Sequence, residues 1–237
     1  MAPTEHIVAS FDRDLEAIQA NIMRMGGLVE DAIVKSAQAL DTRDPELARA
    51  VRLGDTAIDA LDARINEEAA RIIAQRQPIA TDLRTILTVF RISANLERIG
   101  DYAKNIAKRS EAIMDQPPPE GTGASLRRMA RQVELMLKDV LDAYIQRDAD
   151  MAMDVRERDL EVDQMYSALF REYLTFMMED PRNITTCMHL HFMAKNIERM
   201  GDLTTNMAEQ VIYLVTGEMP DEARPKDDKT AFVSDAG

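Results

Sequence analysis

Residues 95–101 read NLERIGD, and residues 196–202 read NIERMGD. Asn, Glu, Arg, Gly and Asp return in the same places, and only the two apolar positions differ. The repetition extends beyond this motif. Met25, Val29, Glu30, Arg43, Asp44, Ala48, Val51, Asp55 and Asp59 return 104 residues later as Met129, Val133, Glu134, Arg147, Asp148, Ala152, Val155, Asp159 and Asp163. Around the motif the offset is 101, pairing Asn95, Glu97, Gly100, Asp101 and Asn105 with Asn196, Glu198, Gly201, Asp202 and Asn206. The second copy has therefore lost three residues between its second and third elements. The chain reads as a duplication.

The prolines say what is duplicated. They stand at 3, 45, 78, 117–119, 181, 220 and 225, leaving long unbroken intervals. Within these, apolar residues recur every three or four positions, as in Ile58, Leu61, Ile65, Ala69 and Ile72, which is helical spacing. Strand-like alternation is absent. Six helices are expected, at 4–42, 45–76, 80–115, 123–147, 149–179 and 182–217. Asp44 can cap the second helix, with Pro45 at its first position where a missing N–H costs nothing, and Asp148 can cap the fifth. Three antiparallel helices of this length make an up-down-up bundle. The expected fold is all-α: two tandem pseudo-symmetric three-helix bundles at 1–116 and 123–217. QPPPEGTG supplies the linker at 117–122, and the polar, Pro-interrupted stretch 218–237 reads as a flexible tail.

Composition limits the function. The 237 residues carry a formal charge of −13 and a pI near 4.7. That disfavours nucleic-acid binding, which needs Lys and Arg along the phosphate track. It suits cations or a basic protein surface. A single cysteine, Cys187, forms no internal disulfide and requires no oxidising compartment. No signal peptide and no apolar run long enough to span a bilayer are visible. A cytoplasmic protein is expected.

On a helical wheel Val89, Ile92, Leu96, Ile99, Ala103 and Ile106 form the core stripe of the third helix, and Glu97, Asp101 and Asn105 lie opposite it. Met193, Ile197, Met200 and Met207 oppose Glu198, Asp202 and Asn206 in the same way. On the second helices Asp55 with Asp59, and Asp159 with Asp163, flank the apolar stripe. Like charges four apart on a helix destabilise it by about 0.2–0.5 kcal/mol per pair, yet this arrangement occurs four times. Lys104 is placed to relieve Asp101, whereas the matching residue Thr205 is not. A hard cation would turn the repulsion into coordination. A solvated acidic face that docks partners without metal is the alternative. Gly100 and Gly201, at the edge of the core stripes, cost about 1 kcal/mol each against Ala and are expected to admit a neighbouring helix.

The doubled E-R-x-G-D-x-x-x-N, the D-x-x-x-D of the second helices and QPIATDLR at 77–84 resemble the PhoU family, over roughly residues 5–218. The resemblance implies two PhoU repeats, often in a homodimer. It also implies multinuclear metal clusters, with Fe, Zn, Mn or Mg as candidate ions. Carried over by position, the ligands are Asp55, Asp59, Glu97 and Asp101 in one half and Asp159, Asp163, Glu198 and Asp202 in the other. The implied role is negative regulation of phosphate uptake and of the phosphate-starvation response, by contact with the ATPase subunit of a phosphate ABC transporter and a sensor histidine kinase. In the second half RNITTC replaces IATDLR, so the connector is not duplicated.

An enzyme is not expected. None of the three histidines follows a Glu by three residues, as a di-iron carboxylate site would need. His189 and His191 point to different faces and make a poor joint site. Cys187 has no motif around it, and no phosphate-binding loop is present. Arg127, Arg128 and Arg131 read as a solvated basic face.

Overall fold

A computed structural model of the chain describes residues 3–220, with side chains from Arg13 onward. Its helices are α1 (Pro3–Thr42), α2 (Pro45–Arg76), α3 (Thr81–Ala112), α4 (Thr122–Gln146), α5 (Ala149–Glu157), α6 (Asp159–Glu179) and α7 (Ile184–Thr216). A single 3-10 turn, Pro181–Asn183, leads into α7, and no strand occurs among the described residues. The tail expected to be flexible falls, from residue 221 on, outside the described residues.

Both expected caps are present. Asp44 accepts from the backbone N–H groups of Glu46 and Leu47, and Asp148 from those of Asp150 and Met151, each at 3.0 Å. The preceding residues, Arg43 and Arg147, both adopt a left-handed φ of 53°. That conformation lets the N–H of Asp44 reach Ala39 O and that of Asp148 reach Ala143 O, each at 3.0 Å, so the chain reverses within two residues in both halves. The repeat thus copies its turn as well as its faces.

One helix differs from expectation. The stretch expected to run unbroken over 149–179 is interrupted at Arg158, where Glu161 N–H bonds to Arg158 O in a tightened 3-10 pattern. Arg158 keeps right-handed helical angles, so the six-helix order stands with a break in its fifth member. No Gly or Pro marks the break, and at the matching position in the first half Gly54 lies inside an uninterrupted α2. Arg158 turns its guanidinium to Asp139 on α4.

Within each half the helices pack on one another, and between the halves α3 lies against α7 and α1 against α4. Both inter-half pairs are antiparallel. Arg84, early in α3, stacks on Tyr213, late in α7, while Arg109, late in α3, stacks on Phe192, early in α7. At the α1–α4 approach a Cβ on Gly26 would stand 2.4 Å from Leu141 Cδ1, so Leu141 would have to shift to admit it. The buried core runs from Ile18 to Leu214 and draws on both halves. No described helix is long and apolar enough to cross a membrane.

Candidate metal centre

The candidate carboxylates line two grooves, α2–α3 in the first half and the start of α6 against α7 in the second. Each groove is narrow because of a glycine. A Cβ on Gly100 would stand 3.0 Å from Ile58 Cδ1 and 3.8 Å from Asp55 Oδ1, and one on Gly201 would stand 3.3 Å from both Asp159 Oδ1 and Val162 Cγ1. As expected, both glycines admit the neighbouring helix, and they bring a second-helix aspartate against the third helix.

In the first groove Asp55 is buried, Asp59 is exposed, and Glu97 and Asp101 are half-buried. Lys104 donates to Asp55 and stands 3.4 Å from Asp101. Burial first, and then Asp55, raises the pKa of Asp59, with Asp101 and Asp62 adding to it and Lys104 opposing. Glu97 is raised in the same way, by burial first and then by Asp101, Asp59, Asp62 and Asp55. The Lys104 ammonium is held above its ordinary value, chiefly by the hydrogen bond to Asp55. Asp62 extends the acidic strip by one turn and accepts from Ser93 Oγ at 2.6 Å. Sequence reasoning missed it, although its position, three residues after Asp59 and seven after Asp55, puts it on the same helix face.

The second groove is more enclosed. Asp159, Asp163 and Glu198 are 3%, 5% and 6% exposed. Glu198 therefore does not lie opposite the core, as the wheel placed it, because α6 covers that side of α7. Nor does this half lack a counter-charge. Lys195, three residues before Glu198, donates to its Oε1 at 2.8 Å and rests over the Tyr166 ring. Thr205, at the position matching Lys104, is buried with its hydroxyl unpartnered. Glu198 Oε2 is shut off from solvent with no hydrogen-bond partner among the described residues, and the pKa of Glu198 is raised, by burial first and also by Asp202 and Asp163, against Lys195.

The donor set consists of carboxylates, with Asn105 and Asn206 one turn beyond, as hard cations require. The orphaned, desolvated Glu198 oxygen fits a cation in the second groove. The first groove fits less well, because Lys104 already engages Asp55 and Asp101. Among the described residues no three His, Cys, Asp or Glu side chains are gathered as a metal ion would require.

The remaining candidates are packing or surface groups. His191 sits among Tyr166, Phe170 and Phe192, while His189 faces α3, so the two do point apart. Cys187 is fully buried. Arg127, Arg128 and Arg131 line a groove over Val34 and Ala37, with Arg127 paired to Asp41 and Arg131 to Glu134.

The PhoU domain model matches this chain twice, over residues 22–110 and 126–211. The chain belongs to the PhoU family. It is 47% identical over 228 residues to the phosphate-specific transport system accessory protein PhoU homolog of Rhizobium meliloti, covering 96% of each chain. The homolog from Pseudomonas aeruginosa is 39% identical over 214 residues, 90% of this chain and 88% of that one. The crystal structure of PhoU from Pseudomonas aeruginosa superposes with a TM-score of 0.85 at 38% identity, covering 88% of this chain and all of that one. The phosphate transport system regulatory protein PhoU from Streptococcus pneumoniae gives 0.82 at 29% identity, over 90% of this chain. The all-helical architecture is thus that of known PhoU structures.

Proposed function

We propose that this protein restrains phosphate uptake and the phosphate-starvation response by protein contact, linking the ATPase subunit of a phosphate ABC transporter to a sensor histidine kinase. It acts in the cytoplasm, as a homodimer, and by docking rather than catalysis. One observation carries this reading: nearly the whole chain matches accessory proteins of phosphate transport. The net charge of −13 favours basic partner surfaces.

In this reading Asp55, Asp59, Glu97 and Asp101 would hold metal in one groove, and Asp159, Asp163, Glu198 and Asp202 in the other. A bound cation supplies positive charge that offsets repulsion between the carboxylates of adjacent helices. The residues do the rest: Gly100 and Gly201 set the spacing, and buried Asp55, Asp159, Asp163 and Glu198 lose little entropy on binding because they are already fixed.

A second reading rests on Lys104 and Lys195. Each already neutralises part of its acidic set, which favours a metal-free scaffold whose grooves dock partner cations. Elemental analysis separates the two, on protein purified without chelator or His-tag beside a Glu97→Gln, Asp101→Asn, Glu198→Gln, Asp202→Asn variant. Metal in the wild type alone makes the carboxylates ligands; no stoichiometric metal in either leaves the scaffold. A deletion strain whose starvation genes stay repressed normally in rich phosphate would sink the regulatory role in both forms.

A further inference from the structure

The face between the halves holds a cavity of about 340 Å³, formed where the end of α3 meets the start of α7. Asn105, Lys108, Arg109 and Ala112 line it from α3, and His189 and Asn196 from α7. Among the described residues no carboxylate lines it, in a chain with 42 acidic and 29 basic residues.

The duplication gives this composition an internal control. At the offset of 101 the matching positions are Asn206, Glu209, Gln210 and Tyr213 on α7 and Thr88 and Asn95 on α3. The amides are kept at both places. Lys108, Arg109 and His189 stand opposite Glu209, Gln210 and Thr88 in that register, where Arg84 stacks on Tyr213 and Arg156 pairs with Glu209.

We infer that this cavity binds a phosphate-class oxyanion, either inorganic phosphate or the phosphoryl group of a small metabolite. Lys108 supplies a mobile ammonium with three donors. Arg109 has its face stacked on Phe192 at 4.4 Å, which leaves the in-plane N–H groups to donate. The two asparagine amides add donors and, in their Oδ1 atoms, acceptors. Acceptors matter because a phosphate dianion at neutral pH retains a P–O–H, which sulfate lacks. A site of cations alone would not tell the two apart. The donor set argues for the oxyanion independently of the metal reading, and the family narrows it to phosphate.

The test is calorimetry on the full chain, in chelator-treated buffer at constant ionic strength, with inorganic phosphate, glycerol phosphate and sulfate as titrants. Chelation keeps the result separate from the metal grooves, so either idea can fail alone. Phosphate or the ester should bind saturably and more tightly than sulfate, and the tighter of the two identifies the source. Lys108→Glu should weaken binding by roughly tenfold or more. Lys35→Glu, an equal change of charge at a half-exposed position of α1, should leave it within about twofold. The inference is overturned if neither phosphate species binds, if sulfate binds as tightly, or if both variants weaken binding equally. In the last case the effect would belong to net charge and not to the cavity.

Discussion

Lys104 on α3 donates to Asp55 on α2 while standing 3.4 Å from Asp101 on its own helix. Asp55 is 4% exposed, whereas the Lys104 side chain keeps 42% of its surface in water. The contact ties a buried carboxylate to a cation that can swing away. In the second half the cation comes from Lys195, on the other side of the motif, and contacts Glu198 instead. The duplicated acidic sets are therefore neutralised from opposite ends, and the two grooves are not equivalent.

Removing Lys104 tests that inequivalence. Lys104→Gln leaves Asp55 buried beside Asp59, Glu97 and Asp101 without its cation. Breaking a fully buried pair costs about 3–5 kcal/mol, and the exposure of Lys104 reduces this to about 1–2 kcal/mol. Urea denaturation in chelator should show that loss, and added Mn(II) should restore more stability to the variant than to the wild type. Equal metal responses would mean that Lys104 does not compete with a cation for the first groove.

Glu198→Gln should act in the opposite sense without metal. The wild-type carboxylate is desolvated, has one oxygen unpartnered and faces Asp163 and Asp202. A glutamine keeps an acceptor for Lys195 and carries no charge to repel the aspartates. Melting in chelator should be unchanged or raised by up to about 3 °C. With metal present the order should reverse, since a ligand bound only by the folded wild type stabilises it by mass action. A variant less stable than wild type under both conditions would make Glu198 a structural partner of Lys195 and nothing more.

The sequence made the helix order and the Asp44 and Asp148 caps legible, because each depends on residues within a few positions of one another, and the duplication legible because its residues return at fixed offsets. Gly100 and Gly201 were legible for a related reason: a helix tolerates a central glycine only where something must come close. The rest depended on which element covers which. Glu198 lies across the wheel from the core stripe, yet α6 buries it, and no single-helix projection contains α6. Lys195 escaped notice as a counter-charge because the repeat pointed to Thr205. The break at Arg158 carries no Gly or Pro and so left no mark in the sequence. The α3–α7 cavity joins residues more than 75 positions apart, whose meeting no local pattern records.

Adjacent glycines on α1 give a matched test of the α1–α4 contact. Gly27 is exposed, and a Cβ there would meet nothing within 4 Å, so Gly27→Ala should stabilise the protein by about 0.5–1 kcal/mol through helix propensity. Gly26→Ala gains the same backbone term, but its Cβ would stand 2.4 Å from Leu141 Cδ1. Leu141 is 1% exposed, so it has little room to move, and overpacking costs of about 1–3 kcal/mol should outweigh the gain. Equilibrium urea denaturation should therefore move the two midpoints in opposite directions. Stabilisation by both would mean that the halves are held less closely across this face.

Glu30 and Glu134 are repeat mates, and they approach one another across the same α1–α4 face. Burial raises the pKa of Glu30 above its ordinary 4.5, and Glu134 and Asp142 raise it further against the pull of Lys138. The folded protein thus holds this proton more tightly than the unfolded chain does. The resulting stabilisation is complete below about pH 4.5 and is lost as pH rises through the raised value. At neutral pH the ionised carboxylate opposes folding. Glu30→Gln should therefore raise the Tm by about 1–3 °C at pH 7.5, and the gain should shrink towards pH 4.5 as Glu30 takes up its proton in the folded state. Thermal melts of wild type and variant at the two pH values check this. An equal gain at both would assign the effect to glutamine packing and would leave the Glu30–Glu134 repulsion without consequence for folding.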